Sequence, residues 1–335
     1  MPRLRPHRPA RASRRIALRL VVVLALAALA AGVASARPAS GGSNRSTLAS
    51  VLGVYVGAGN RDGVDAFSAW LGSSVGYAED YLPFGTWPSA AARAWILKRW
   101  QDSGLTLVLG VPLVPSSGGS LAAGAAGAYD PWFASLARQL ADAGEGNAIL
   151  RLGWEFNGSW YPWGVRSNDD ARTFAAYFRR VVTTMRAIAP GLRFDWNPSA
   201  GVWPAFDIAQ AYPGDAYVDD IGLDVYDQSW IAEYGSPQAR WNDFLRQTVG
   251  LAWQRSFARA HGKPVSFPEW GVTVRPDGHG GGDDPFYVEQ MASWIASSDT
   301  GYAVYFDYNA SDGAHALDDA RFARSAATFR RLFGA

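Results

Sequence analysis

The sequence contains no cysteine in its 335 residues. This absence excludes disulfide bonds, a lipid-modified cysteine, a thiol nucleophile and a cysteine-bound metal. Histidine is scarce as well, with four in the chain, so a histidine-rich metal centre and a Ser-His-Asp hydrolase are disfavoured. We therefore predict a protein that holds no metal and needs no cofactor.

Nucleotide-binding patterns are also absent. The glycine-rich segment 277–284 is not followed by Lys-Ser or Lys-Thr, and its acidic residues would repel a phosphate group. The glycines at 53, 57 and 59 do not form a dinucleotide-binding pattern. We interpret 277–284 as a flexible loop, and a lid that contacts substrate is the alternative.

The N-terminal segment has no acidic residue. Residues 1–19 carry seven arginines, residues 20–33 are almost entirely Leu, Val and Ala, and Ala34-Ser35-Ala36 offers the small residues of a cleavage site. These features predict a secretory signal peptide over residues 1–36, because the apolar run is short for a membrane span. An uncleaved N-terminal anchor is the alternative. We expect a secreted, extracellular protein, either free or associated with the cell wall.

Removal of the signal peptide changes the net charge of the protein. The chain has 31 basic and 30 acidic residues, and 24 basic residues remain without the seven N-terminal arginines. An acidic protein is a poor partner for nucleic acid, because binding to phosphates requires a basic surface. We therefore expect no nucleic-acid partner, no membrane span after signal cleavage, and a monomer.

The remaining chain alternates between short apolar segments and longer amphipathic ones. Residues 37–47 are rich in Pro, Gly, Ser and Asn, which predicts a flexible linker before a single domain over 48–335. The strands that we predict in this domain are 52–57, 75–81, 106–114, 148–156, 193–198, 218–226, 264–270 and 303–308. The predicted helices are 61–71, 88–103, 130–143, 168–189, 205–211, 240–261, 284–298 and 318–333.

Eight strands, each followed by a helix, predict an α/β fold, the (β/α)8 TIM barrel. An open doubly wound sheet is the alternative, although that fold would favour a glycine-rich turn after the first strand. Functional residues of a barrel lie at the C-terminal ends of its strands. Glu155 lies near the end of the fourth predicted strand and Glu269 near the end of the seventh, so both acids are expected at the same face of the barrel.

The surroundings of the two acids indicate a chemistry. Glu155 is flanked by aromatic residues, whose flat faces stack against sugar rings, and an apolar setting raises the pKa of a carboxyl group as a general acid requires. Glu269 lies between Pro268 and Trp270. Two such carboxylates are the minimum needed to cleave a glycosidic bond. A barrel that binds polysaccharide without cleaving it, and a transglycosylase, are the alternatives.

Three segments of the chain, residues 151–164, 212–227 and 268–271, carry a family pattern. They resemble glycoside hydrolase family 26, a retaining (β/α)8 family of clan A known chiefly for β-mannanases, and in particular a secreted bacterial subgroup of it. The resemblance implies that Glu155 is the acid/base, that Glu269 is the nucleophile and that Tyr226 orients the nucleophile. The predicted substrate-binding residues are Arg151, Trp154, Asn157, Trp160, Trp163, Trp196, Asn197, Asp224 and Trp270.

One position departs from the family pattern. Mannanases of the family usually carry histidine immediately before the acid/base, where this chain has Trp154. That neighbour contributes to sugar recognition in the family. The expected partner is therefore a polysaccharide or oligosaccharide, either β-mannan or a related β-glycan such as an exopolysaccharide.

Overall fold

The computed structural model describes residues 41–202 and 204–335. The predicted signal peptide and the first four residues of the predicted linker lie outside these residues. The rest of the predicted linker differs from the expectation, because residues 41–47 belong to helix α1 (Gly41–Val51). Leu48 and Val51 of this helix are buried where α1 packs against the last two helices of the domain, so the segment gains tertiary contacts that its composition does not reveal.

The strands form a closed barrel, as predicted. In chain order they are β1 (Leu52–Tyr55), β2 (Tyr77–Tyr81), β3 (Thr106–Val111), β4 (Ile149–Leu152), β5 (Arg193–Trp196), β6 (Asp220–Gly222), β7 (Val225–Tyr226), β8 (Val265–Gly271) and β9 (Thr300–Phe306). Every pairing between neighbours is parallel, and β1 pairs with both β2 and β9, which closes the barrel. β6 and β7 both pair with β8, so they are consecutive parts of one of the eight barrel strands.

Helices cover the outside of the barrel. After α1 they are α2 (Arg61–Leu71), α3 (Ala90–Trp100), α4 (Leu121–Ala125), α5 (Asp130–Asp142), α6 (Asn168–Arg186), α7 (Pro237–Arg246), α8 (Leu251–Ala260), α9 (Pro285–Ala296) and α10 (Ala323–Phe333). Within the described residues, none of these helices is both long and apolar enough to cross a membrane.

Two predicted helices differ from the observed ones. The segment 240–261 is divided into α7 and α8, and Gly250 stands directly before α8. A Cβ atom on Gly250 would lie 2.5 Å from the carbonyl oxygen of Phe244, so the chain needs glycine to pass this point. The segment 205–211 forms only a short 3-10 helix over Ile208–Ala211.

Side-chain alternation along β2 shows how the strands divide their residues between two environments. Asp80 faces the helices, where its carboxylate accepts hydrogen bonds from the Trp100 indole and the Gly59 backbone, both at 2.8 Å. Glu79 and Tyr81 face the barrel interior, where both contact Arg151 of β4. Successive residues of a strand point to opposite faces, and the barrel interior thereby receives the polar side chains that build the site.

Candidate active site

Glu155 lies in the turn that follows β4, in a backbone conformation that is unusual for its residue type. Its φ angle is +52°, in the left-handed region where a residue with a side chain is strained. The backbone N–H of Glu155 donates to the carbonyl oxygen of Asn197 at 2.8 Å, which ties the turn to the end of β5. The Nε1–H group of Trp160 donates to Oε2 of Glu155 at 2.7 Å. The turn therefore holds the carboxyl group in a fixed position on the wall of the cleft.

The pKa of Glu155 is raised to about 7, mainly because burial disfavours the charged form of the carboxyl group. The negative charge of Glu269 raises it further, whereas hydrogen bonds from Ser199 and Trp160 lower it. A carboxyl group with this pKa retains a proton on a substantial fraction of molecules at neutral pH. Glu155 can therefore donate a proton and later accept one.

Glu269 lies in β8 and is held by three donors. The Tyr81 hydroxyl donates to Oε1 and the Tyr226 hydroxyl donates to Oε2, each at 2.8 Å. The Arg151 guanidinium lies 2.8 Å from Oε1 and completes the set. These contacts fix the orientation of the carboxylate and stabilise its negative charge, which is the arrangement that a nucleophilic carboxylate needs.

Arg151 is the centre of a polar network inside the barrel and is fully buried. In addition to Glu269, it bonds to the carboxylates of Glu79 and of Asp224, the latter at 2.6 Å. Its Nε–H group donates to Oδ1 of Asn197 at 2.8 Å. Burial raises the pKa of Glu79 to about 8, the charge of Arg151 opposes this shift, and the charge of Glu269 adds to it. One buried guanidinium group therefore forms ion pairs with the side chains of Glu79, Asp224 and Glu269.

Several residues predicted to bind substrate lie behind the cleft and support it. The Asp224 carboxylate accepts a hydrogen bond from the Glu269 backbone N–H at 3.0 Å and from the Asn197 side chain at 3.1 Å. The Asn157 side chain exchanges two hydrogen bonds of 2.8 Å with the backbone of Ser199. These contacts connect the strand ends to one another and position the two acids.

Three tryptophans predicted to bind substrate are fully buried and do not line the cleft. They are Trp163, Trp196 and Trp270. Trp196 packs on Phe257 of α8, and Trp270 packs on Phe329 of α10, because each faces the helical layer. In this structure their rings cannot stack on a sugar.

The cleft has a volume of about 1300 Å³ and is lined by aromatic residues. Among the described residues, four large hydrophobic side chains are exposed, and all four lie on its walls: Trp95, Trp160, Trp230 and Tyr308. Trp154 also contributes to the wall, but it is only 2% exposed and packs among Tyr81, Tyr161 and Trp163. The cleft therefore has aromatic surfaces for sugar rings at several points along its length.

Sequence reasoning missed Glu79 and Tyr81. The alternation along a strand was the available signal, because residues 79 and 81 must share the face that Asp80 does not. Trp95, Trp230 and Tyr308 were also missed, since they lie in loops or helices whose position over the cleft depends on the tertiary structure.

The glycine-rich segment 277–284 does not contribute any residue to the cleft wall. Asp277 pairs with Arg275, Asp283 accepts hydrogen bonds from the Ser325 backbone and hydroxyl, and Asp284 bonds to Arg240. The segment is anchored to neighbouring elements, so the structure does not favour a lid. No group of acidic or histidine side chains that could hold a metal ion is found within residues 41–202 and 204–335.

Comparison with known proteins shows a similarity to one enzyme family over part of the chain. Residues 131–260, which include Glu155, match the family model described as Glycosyl hydrolase family 26. The match covers 130 of the 335 residues, and over this part the chain is similar to family 26. Glu269 lies beyond the matched residues, so its place in the site depends on the geometry described above.

Two curated proteins are similar to limited parts of the sequence. A mannan endo-1,4-beta-mannosidase of Bifidobacterium adolescentis is 26% identical over 188 residues, covering 49% of this chain and 18% of that protein. Endoglucanase H of Acetivibrio thermocellus is 31% identical over 124 residues, covering 35% of this chain and 13% of that protein. The matches therefore span less than a fifth of the length of either relative.

Solved structures with the same fold cover most of the chain. The GH26C protein of Muricauda sp. aligns with a TM-score of 0.60 at 16% identity, covering 87% of each chain. A family 26 β-mannanase of Bacteroides ovatus aligns with a TM-score of 0.58 at 17% identity, covering 87% of this chain and 92% of that one. These similarities support the (β/α)8 barrel as the fold.

Proposed function

We propose that the protein is a retaining glycoside hydrolase that cleaves β-glycosidic bonds of a polysaccharide. The observation that carries the proposal is the unequal pair of carboxyl groups on the wall of one cleft. Glu155 has a pKa raised to about 7, and Glu269 accepts hydrogen bonds from two tyrosines and lies 2.8 Å from an arginine. Retaining glycosidases need one carboxyl group as the acid and one as the nucleophile.

In the first step, Glu269 attacks the anomeric carbon of the bound sugar while Glu155 transfers its proton to the departing glycosidic oxygen. Tyr226 and Tyr81 keep the attacking carboxylate in line during this step. In the second step, Glu155 accepts a proton from water, and the resulting hydroxide displaces Glu269 from the sugar. A pKa near 7 suits both roles of Glu155, because the group is an acid in one step and a base in the next.

The substrate that we propose is a β-mannan or a related β-glycan, bound across the catalytic acids. The names of the curated relatives include mannan endo-1,4-beta-mannosidase and endoglucanase, which supports a β-linked polymer. Trp160 flanks Glu155, whereas Tyr308 packs against Phe306, which in turn packs against Tyr226 beside Glu269. Aromatic surfaces near both acids can bind sugar units on both sides of the cleaved bond, and we propose endo cleavage.

A polysaccharide panel tests the proposal. Wild-type protein is incubated with β-mannan, glucomannan, mixed-linkage β-glucan and xylan, and the products are measured as reducing ends and sized by chromatography. We expect release of oligosaccharides of mixed length from at least one β-linked polymer. Glu155→Gln and Glu269→Gln should each reduce hydrolysis at least 1000-fold while retaining binding to the same polymer. Binding without release of reducing ends or transfer products by the wild type would instead indicate a binding protein.

We also propose that the protein is exported and acts outside the cell as a monomer. The arginine-rich start, the apolar run and Ala34-Ser35-Ala36 support export. N-terminal sequencing of protein recovered from culture medium should give a first residue at or near Arg37. Retention of the protein in the membrane fraction with an intact N-terminus would favour the uncleaved anchor.

A further inference from the structure

A histidine that the proposed mechanism does not use lies on the cleft wall. His315 is in the loop that follows β9, and the loop is held by its own side chains. Oδ1 of Asn309 accepts hydrogen bonds from the backbone N–H groups of His315, at 3.0 Å, and Ala316, at 3.2 Å. Ala314 forms an antiparallel bridge with Val274. The position of His315 is therefore fixed before any ligand binds.

One nitrogen of the His315 imidazole ring forms a hydrogen bond within the protein. Nδ1 lies 3.1 Å from the carbonyl oxygen of Val272, and a carbonyl oxygen can only accept a hydrogen bond, so Nδ1 carries a proton. Burial lowers the pKa of His315, which keeps the ring neutral at physiological pH although Asp312 and Glu269 oppose this shift. In a neutral ring with the proton on Nδ1, Nε2 is a hydrogen-bond acceptor.

Nε2 of His315 has no donor among the described residues. His315 as a whole is only 3% exposed, but its unpartnered Nε2 atom is still accessible to solvent. The ring packs against Tyr226, with ring centres 4.9 Å apart, and against Phe306, with centres 5.4 Å apart. These contacts leave the Nε2 edge as the part of the ring that a ligand in the cleft can reach.

The neighbours of His315 indicate which sugar it faces. Tyr226, on which its ring packs, donates to Glu269. The sugar that becomes attached to the nucleophile must lie over Glu269, whereas the departing sugar must lie next to Glu155. The Tyr81 and Tyr226 hydroxyls already donate to Glu269. On this side of the cleft, Nε2 of His315 is therefore an acceptor that a sugar can use.

We propose that His315 is a substrate-binding residue whose Nε2 atom accepts a hydrogen bond from a hydroxyl group on the part of the glycan that becomes attached to Glu269. This inference rests on the proposed function, because it requires a glycan in the cleft. It predicts selection for a free hydroxyl at that position, since an ether or ester there cannot donate. A site that provides only an acceptor discriminates against analogues without a donor.

Two substitutions separate recognition from loop anchoring. In His315→Asn, the amide nitrogen can replace Nδ1 and still donate to Val272, but the Nε2 acceptor is lost. In His315→Gln, the longer side chain places an amide oxygen near the Nε2 position, but the donor to Val272 is lost. We expect His315→Asn to keep a melting temperature close to that of the wild type and to bind oligosaccharide roughly 3- to 10-fold more weakly.

His315→Gln should lose more stability than His315→Asn and retain more of the affinity. If the histidine only anchors the loop, the order of the two affinities reverses, and His315→Asn binds oligosaccharide as the wild type does. That reversal would overturn the proposal.

Imidazole ¹⁵N NMR provides a direct readout in the Glu155→Gln variant, which should bind glycan without cleaving it. The His315 signals are assigned by their loss in a Glu155→Gln/His315→Asn protein. Without ligand, Nδ1 should be protonated and Nε2 unprotonated, and a protonated Nε2 would overturn the proposal. The probes are β-1,4-mannopentaose and cellopentaose, and tryptophan fluorescence reports whether either occupies the cleft.

With a probe bound, the Nε2 resonance should move towards lower frequency, as expected when this nitrogen accepts a hydrogen bond. A fluorescence change without a change at Nε2 would overturn the role of His315 and leave the proposed hydrolase intact. If neither pentaose nor any polymer of the panel binds, the proposed function fails and this inference fails with it.

Discussion

Replacement of Arg151 by methionine should show that one buried cation stabilises both the barrel and the site. Arg151 is fully buried and bonds to the carboxylates of Glu79, Asp224 and Glu269. Methionine preserves much of the side-chain volume but leaves three carboxyl groups facing one another without a cation between them. Removal of one partner from a buried ionic network costs about 3–5 kcal/mol. At about 2 °C per kcal/mol, the melting temperature should fall by roughly 6–10 °C.

The loss of stability should depend on pH, with a sign that can be worked out. Without the guanidinium, burial and mutual repulsion raise the pKa of the three carboxyl groups in the folded state above their unfolded values. When the pKa of a group is higher in the folded state than in the unfolded state, the protein loses stability as the pH rises from the unfolded-state value to the folded-state value. In the wild type, Glu79 already has a pKa of about 8. The variant should therefore be most destabilised near pH 8 and less so near pH 5.

Urea unfolding followed by tryptophan fluorescence at pH 5, 6.5 and 8 measures this effect. Arg180→Met is the matched control, because Arg180 pairs with Asp130 at 2.6 Å on the protein surface with its side chain 44% exposed. A surface ion pair of this kind contributes at most about 1 kcal/mol. The reasoning would be refuted if Arg151→Met were no more destabilising than the control, or if its effect were equal at all three pH values.

Three further predictions concern the cleft. Trp160→Phe removes a hydrogen-bond donor to the ionised form of Glu155, so the pKa of Glu155 should rise above about 7. The alkaline limb of the pH profile of kcat/KM should then move to higher pH, and an unchanged limb would contradict the assigned contact. Tyr226→Phe should lower kcat about 100-fold with little change in KM, because it loosens the nucleophile, whereas Tyr77→Phe, whose hydroxyl bonds to the backbone of Gly301, should leave kcat unchanged. Trp230→Ala should weaken binding of long oligosaccharides more than that of short ones in titrations, and equal effects at all lengths would exclude a distant sugar-binding surface.

The sequence predicted the strands well because each is an apolar run bounded by turn residues, and eight such runs with helices between them define a barrel. It also placed Glu155 and Glu269 at strand ends and Tyr226 nearby. The network around Arg151 could not be predicted in the same way. It depends on parallel strands that bring Glu79, Arg151 and Asp224 together from positions 72 and 73 residues apart.

The orientation of the buried tryptophans did not follow from their positions at the strand ends. Trp196 and Trp270 follow polar residues that face the barrel interior, so alternation directs both indole rings to the helical layer. Their strand-end positions suggested a role in binding sugar, but the face on which a residue lies decides that role. Conversely, Trp230 and Trp95 gain a place on the cleft wall from loop and helix positions that only the folded chain defines.

The anomeric configuration of glycosyl azides formed by alanine variants tests the roles of the two acids most directly. The substrate is a 2,4-dinitrophenyl β-glycoside of the sugar identified in the panel, with sodium azide present and products analysed by ¹H NMR. With Glu155→Ala, azide should attack the intermediate on Glu269 and give the β-azide. With Glu269→Ala, azide should enter the space left by the nucleophile and give the α-azide. The opposite pairing of variant and anomer would contradict the account.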